Sequence, residues 1–195
     1  MSTPELDATA PEDFRRAVAS LSDVTIRPEV TIETIRAPQR LAPYSCALGG
    51  EVTIDPASDL ADATGRLVLL HDPDGDEAWD GTLRLVCYVT AAIESDMAQD
   101  PLLTDAAWSW LTESLDDFGA SYVALGGTVT HTASTRYGDL SGPASTTDLE
   151  IRASWTATSP ELGAHLQAWV NLLAIAAGAP PPGVSLISQR DASVT

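Results

Sequence analysis

The apolar positions of this chain recur with two periods, and each change of period marks where a strand gives way to a helix. Phe14, Ala17, Val18 and Leu21 stand at i, i+3, i+4 and i+7, one face of a short amphipathic helix. Thr9 and Glu12 are spaced as a capping box before it, with Pro11 at the first helical position. From Val24 to Ile35 the text is β-branched. Pro28 has no N–H to donate, which limits that stretch to an edge strand or two short pieces. Tyr44, Cys46, Leu48, Val52 and Ile54 then alternate with Ser45, Ala47, Glu51 and Thr53, a strand with one buried face. The Gly49–Gly50 pair inside it predicts a bulge or a sharp bend.

Residues 65–93 hold two apolar runs joined by an acidic loop. Leu67 to Leu70 are apolar on both faces, which marks a central strand. In the return strand Leu83, Leu85, Cys87, Val89, Ala91 and Ile93 share one face, with Thr82, Arg84, Tyr88 and Thr90 on the other. Asp100–Pro101 opens a helix whose predicted buried side is Leu103, Ala107, Trp110, Leu111, Ser114 and Phe118, and Gly119 stops it. The same grammar returns once. Val129, His131, Ala133 and Thr135 oppose a threonine-rich face, and Leu149, Ile151, Ala153, Trp155 and Ala157 alternate with Asp148, Glu150, Arg152, Ser154 and Thr156. That strict alternation predicts a strand with one face in solvent. Ser159, Pro160 and Glu161 read as the start of a last helix with the stripe Leu162, Leu166, Trp169, Leu173 and Ala176, ended by Gly178.

The predicted fold is α+β: helix, three or four strands, helix, two strands, helix, or α-β-β-β-α-β-β-α with the hairpin–helix unit occurring twice. Hairpins make the sheet mostly antiparallel, with five to six strands and the helices on one face. Residues 9–178 read as a single domain, residues 1–8 as a flexible N-terminus, and residues 179–195 as a Pro-rich turn and tail.

Charge narrows the function classes. The chain carries 28 acidic residues against 10 basic ones, a net of −18, and every basic residue is arginine. Such a chain is repelled by phosphate backbones and anionic lipid, so neither direct nucleic-acid binding nor membrane binding is expected. The N-terminal text has no basic region followed by an apolar core, and no apolar run reaches the ~20 residues of a membrane helix. A cytoplasmic protein is expected, with Cys46 and Cys87 as buried free thiols.

Candidate chemistry is sparse. Asp72, Asp74 and Asp76 alternate as in a calcium loop, but Glu77 stands where that loop needs glycine and Leu83 where it needs a bidentate glutamate. A solvated hairpin loop built on Asp-Gly turns explains the same letters, so no metal is expected. His71, His131 and His165 fall on different elements with no ligand spacing, and there is no nucleophile elbow or phosphate loop. No catalytic residue and no cofactor are assigned. Trp108 lies ~200° round its helix from Trp110, so the two cannot face one core, and Trp79 sits in the acidic loop. These two tryptophans, Trp79 and Trp108, are the candidate partner-binding residues, because such side chains serve as interface anchors.

Several strings carry a resemblance across roughly residues 10–185: RLAPY from Arg40, GRLVLLHDP from Gly65, EAWDG from Glu77, WSWL from Trp108, LEIRASWT from Leu149 and LGAHLQAW from Leu162. With them the chain resembles an actinobacterial family, the domain of unknown function 3000 family. The resemblance implies a cytoplasmic protein and brings no catalytic residues with it. The function expected is a non-enzymatic interaction or adaptor module, with an unidentified protein partner or a homodimer. The alternative is a small-ligand binder or enzyme with a pocket near the acidic 71–81 loop, using His71, Asp72 and Asp80.

Overall fold

The computed structural model describes residues 9–181, apart from residues 56, 59 and 140–144. The predicted N-terminal tail at 1–8 and the tail beyond 181 lie outside the described residues. The first helix, α1 (Glu12–Ser20), buries Phe14, Ala17 and Val18, and Leu21 is enclosed just past its end. It begins at Glu12, and Pro11 rather than Thr9 occupies its cap position.

Four strands follow: β1 (Val30–Ile35), β2 (Tyr44–Val52), β3 (Ala63–Asp76) and β4 (Gly81–Ile93). β1 starts two residues beyond Pro28 and stands at the sheet edge, as a residue without an N–H requires. After a single turn of helix, α2 (Ser95–Ala98), come α3 (Leu103–Asp117), β5 (Tyr122–Thr135), β6 (Ser145–Ala157) and α4 (Gly163–Ala176). The six strands form one antiparallel sheet in the order β1-β2-β3-β4-β6-β5.

The alternating residues sort onto the two faces as their period demands. Leu67, Leu69, Leu83, Leu85, Cys87, Val89, Leu149, Ile151, Ala153 and Trp155 are buried on the side of the helices. α4 lies across that face with Leu166, Trp169, Leu172 and Leu173 enclosed, and α3 packs beside it through Leu103, Ala107, Leu111 and Leu115. Trp110 is half-buried and Phe118 is exposed, so the α3 stripe stops a turn short of its predicted end; Phe118 already stands at the helix cap. α3 and α4 end as expected at Gly119 (φ +69°) and Gly178 (φ +75°). In each, the N–H of the following residue reaches back five residues: Ala120 to the Leu115 carbonyl and Ala179 to the Ala174 carbonyl, both 2.9 Å.

Two predictions fail for physical reasons. The Gly49–Gly50 pair makes no bulge, because β2 keeps an unbroken register with β1 and with β3. Gly50 instead faces Gly65 on the neighbouring strand, and the two together make room for α4. A Cβ on Gly50 would stand 2.7 Å from Leu173 Cδ1 and 2.8 Å from Trp169 Cη2; one on Gly65 would stand 2.8 Å from Leu173 Cδ2 and 2.7 Å from the Tyr88 carbonyl oxygen. α4 also begins at Gly163 rather than at Pro160. The chain from Ser159 to Leu162 is held to the end of α1 instead, with the Leu162 N–H donating to Ser20 Oγ at 2.8 Å.

The glycine pair yields a stability prediction. Gly65→Ala is expected to cost about 1–3 kcal/mol, the usual range for overpacking, because a backbone carbonyl and a core leucine block the new methyl. Gly49→Ala, on the opposite face, meets side-chain atoms alone, Ile35 Cγ2 at 3.0 Å and Glu33 Cγ at 3.6 Å, and is expected to lie near neutral. Urea unfolding of both variants measures the difference, and equal losses would mean that helix approach does not set the requirement.

Candidate functional site

The acidic loop brings its predicted residues to different places. His71 ends the regular pairing of β3 on the helix side, where it is 2% exposed beside Phe14 of α1 and Tyr44, with ring centroids 5.9 and 6.1 Å away. Its Nδ1–H donates to the Thr82 carbonyl at 3.0 Å, and its enclosed Nε2 has no partner among the described residues. Asp72, the next residue along the strand, points to the other face and accepts the Asp74 N–H at 3.1 Å. Asp76 accepts the Ala78 N–H at 2.8 Å, and Asp80 lies exposed in a left-handed conformation (φ +56°). The carboxylates of the loop thus stabilise its own turns. Among the described residues no three His, Cys, Asp or Glu side chains converge as a metal site.

The two candidate tryptophans lie on opposite sides of the sheet. Trp108 is half-buried on the helix side, its ring over Gly127 of β5, where an added Cβ would stand 2.8 Å from Trp108 Cζ3. Trp79 is half-buried at the β3–β4 tip, and its carbonyl accepts a short hydrogen bond from Thr156 Oγ1, which faces away from the helices. Arg84 ties this corner together. Its guanidinium donates to Ser154 Oγ (2.7 Å), Thr156 Oγ1 (3.0 Å) and the carbonyl of Ala124 (2.8 Å). Ala124 is the left-handed residue (φ +51°) of the bulge in β5, and partial burial pushes the Arg84 guanidinium down from its ordinary value.

The sheet face away from the helices displays ordered polar rows. One crosses the strands as Glu33, Gly49, Arg66, Tyr88, Arg152 and Thr128; the next runs Thr31, Glu51, Thr64, Thr90, Glu150 and Thr130. The Tyr88 hydroxyl donates to Glu150 at 2.9 Å, Arg152 pairs with Glu150 at 2.8 Å, and the Arg152 guanidinium lies 5.5 Å from the Tyr88 ring centroid. The Tyr88 hydroxyl and the guanidinium hold the Glu150 carboxyl below its usual range, and the same carboxylate pushes the Tyr88 hydroxyl up. A shallow depression of about 920 Å³ lies on the β1–β4 part of this face, lined by Val68, Val86 and Gly49 and by Glu33, Arg36, Glu51, Arg66 and Tyr88. Among the described residues none of the three ion pairs involves Arg36 or Arg66.

At its other end the same face is covered. Leu70 and Ala47 point away from the helices, yet they are only 5% and 2% exposed. The β1–β2 connection and the β3–β4 tip fold over that end, fastened by Ser45 Oγ donating to the Pro38 carbonyl at 3.2 Å and by Thr156 on Trp79. Sequence reasoning did not single out Arg66, because Val68 and Leu70 on the same face made the strand read as apolar on both sides. The polar half of the alternation in β4 and β6 was the signal that could have found the rest of the face.

The remaining thiols and histidines fall on separate elements. Cys46 and Cys87 are buried free thiols on strands that β3 separates, and burial pushes them up to about 11 and about 12. His131 lies on the helix-side register of β5 but is exposed, because the helix layer does not extend over that end of the strand. His165 is 2% exposed, and its Nδ1 accepts the Trp155 indole N–H at 3.0 Å.

The model of a protein family of unknown function (DUF3000) matches residues 10–185, and the chain belongs to that family. No curated protein and no solved structure matches it. Among the described residues no helix is long and apolar enough to cross a membrane.

His165 gives the fold a predictable acid response. Burial lowers its imidazole to about 4, from an ordinary value of 6.5. Between those values the unfolded chain takes up a proton that the folded chain refuses, so stability falls as pH drops from 6.5 towards 4 and levels off below. The loss amounts to roughly 3 kcal/mol at most. His165→Asn, whose Oδ1 can still accept the Trp155 N–H, is expected to remove this part of the acid sensitivity. Urea midpoints measured across that pH interval check it, and a variant with an unchanged acid loss would assign the response to other groups.

Proposed function

We propose that this member of the DUF3000 family is a non-enzymatic interaction module that docks a partner protein on the uncovered face of its sheet. The observation that carries this reading is the row Glu33–Arg66–Tyr88–Arg152 with its neighbour Glu150, displayed where none of the described helices lies. Tyrosine and arginine are enriched at the centres of interfaces, and here they surround an apolar patch of Val68 and Val86. Tyr88, Glu150 and Arg152 already hold one another, so docking would order few additional side chains. The partner chemistry that fits is a protein surface carrying both charge signs, which could meet Glu33 and Glu51 on one side and Arg66 and Arg152 on the other. Trp79 stands beside the covered end of this face and is the tryptophan placed to extend such an interface. Trp108, on the helix side over Gly127, is not.

Site-specific photo-cross-linking in the native host tests the reading. A photoreactive residue at Thr64, on the uncovered face, is expected to yield one discrete adduct, and one at Glu113, exposed on α3, is expected to yield none. Arg66→Glu with Arg152→Glu is expected to abolish the Thr64 adduct while leaving the melting temperature within a few degrees, since exposed charges contribute roughly 0–1 kcal/mol each. Equal adducts from both positions, or an adduct indifferent to the two reversals, would overturn it.

A further inference from the structure

α4 starts without a cap of its own. Leu166 is the first residue whose N–H closes a turn, to the Leu162 carbonyl at 3.0 Å, and the Leu162 N–H is taken by Ser20 Oγ at 2.8 Å. No side chain caps the helix, and the N–H groups of Gly163, Ala164 and His165 have no acceptor among the described residues. Three aligned donors at the positive end of a fourteen-residue helix are the usual ground for holding a carboxylate.

A second and independent feature points the same way. A cleft of about 470 Å³ opens at this helix end, between the last turn of α1, the α3–β5 turn and the start of α4. That volume lies within the ~300–1,000 Å³ of small-molecule sites. His165 lines the cleft although it is 98% buried (2% exposed). The Trp155 indole can only donate, so its bond to Nδ1 fixes the imidazole proton on Nε2. Among the described residues the enclosed polar atoms without a partner are His71 Nε2 and Trp169 Nε1; His165 Nε2–H, bonded to no described group, is not among them, so it keeps contact with solvent at the cleft that His165 lines. The core thus holds one ring edge so that the other presents a fourth donor beside the helix end.

The cleft lining also carries negative charge. Asp23 and Glu161 line the same cleft. Glu161 is paired with Arg16 at 2.8 Å, and Asp23 takes part in none of the three ion pairs among the described residues. A simple anion would meet the donors but also these carboxylates, in a chain of net charge −18. A molecule with both signs satisfies the donors and the carboxylates together. We propose that this cleft binds a small zwitterion of the free α-amino acid class, its carboxylate on the first-turn N–H groups and His165 Nε2–H, its ammonium on Asp23. The site is distinct from the uncovered sheet face and does not depend on it.

Amide-resolved NMR titration of the full chain with each standard amino acid singly, and with acetate and ethylammonium as one-charge controls, tests this. At least one amino acid is expected to give saturable shifts confined to Gly163, Ala164, His165 and their neighbours, at least tenfold tighter than acetate. His165→Asn is expected to weaken that binding tenfold or more, and the rest of the spectrum reports whether the variant is folded. Asp23→Asn alters an exposed residue and is expected to weaken the amino acid while strengthening acetate. Acetate binding as tightly as every amino acid would overturn the zwitterion, and no saturable shift with any of them would overturn the site. Binding indifferent to Asp23→Asn would remove the ammonium contact on which the class rests.

Discussion

Trp169 and Leu173 descend onto a patch of sheet where two adjacent strands have no side chains, and most of the architecture follows from that contact. A glycine inside a strand costs roughly 0.5–1 kcal/mol against alanine, so Gly50 and Gly65 are individually unfavourable. Burying an indole hides about 150–250 Å², and at ~25 cal/mol per Å² this is worth about 4–6 kcal/mol. Among the described residues the Trp169 N–H finds no partner, a penalty of about 1–3 kcal/mol. The area gained outweighs both costs together, though not by a wide margin. What decides the arrangement is that a helix brought this close can bury Trp169, Leu172 and Leu173 completely.

Seating α4 over β2 and β3 determines where everything else can lie. α3 takes the remaining helix-side area over β5, with Trp108 lying against another bare position, Gly127. Glycine under tryptophan therefore occurs twice, once beneath each long helix. With most of the large apolar side chains drawn to one face, the opposite face keeps fewer, among them Val68, Val86, Ile35, Leu70 and Ala47. Two loops cover the last pair, and Arg84 fastens that corner by bonding β6 and the β5 bulge at once. The polar rows are what none of the described elements reaches.

The α+β class, the antiparallel sheet, the face of each strand and the ends of α3 and α4 could all be read from periodicity and from Gly119 and Gly178. Those features are local, set by two- and four-residue spacings and by positive φ. What could not be read was set by partners far away in sequence. Gly49–Gly50 reads as a bulge until residue 169 is known to lie above it. Ser159–Pro160–Glu161 reads as a helix start until Ser20 is found holding Leu162. His71 and His165 carry no spacing signal, because Thr82 and Trp155, the groups that orient them, come from other elements. The proposed face is less legible in the sequence than the fold for the same reason. Arg66, Tyr88 and Arg152 become one row only after β4 pairs with β6 across the intervening α3 and β5.

The distribution of charge on the uncovered face differs in kind from that of the chain as a whole. A net charge of −18 sets up a long-range field that favours cationic encounter and is screened within about 8 Å at physiological salt. On the uncovered face, by contrast, Glu150 is neutralised by Arg152 and bonded by Tyr88, so its field is short-ranged and its geometry fixed. A partner docking there would be steered by the acidic remainder of the molecule but selected by the fit of alternating charges along two rows. Salt would then act chiefly on the association rate, and substitutions within the rows on the dissociation rate. The uncovered face of an acidic protein can thus be nearly balanced in charge, because the strand period places Arg152 beside the Glu150 that holds it.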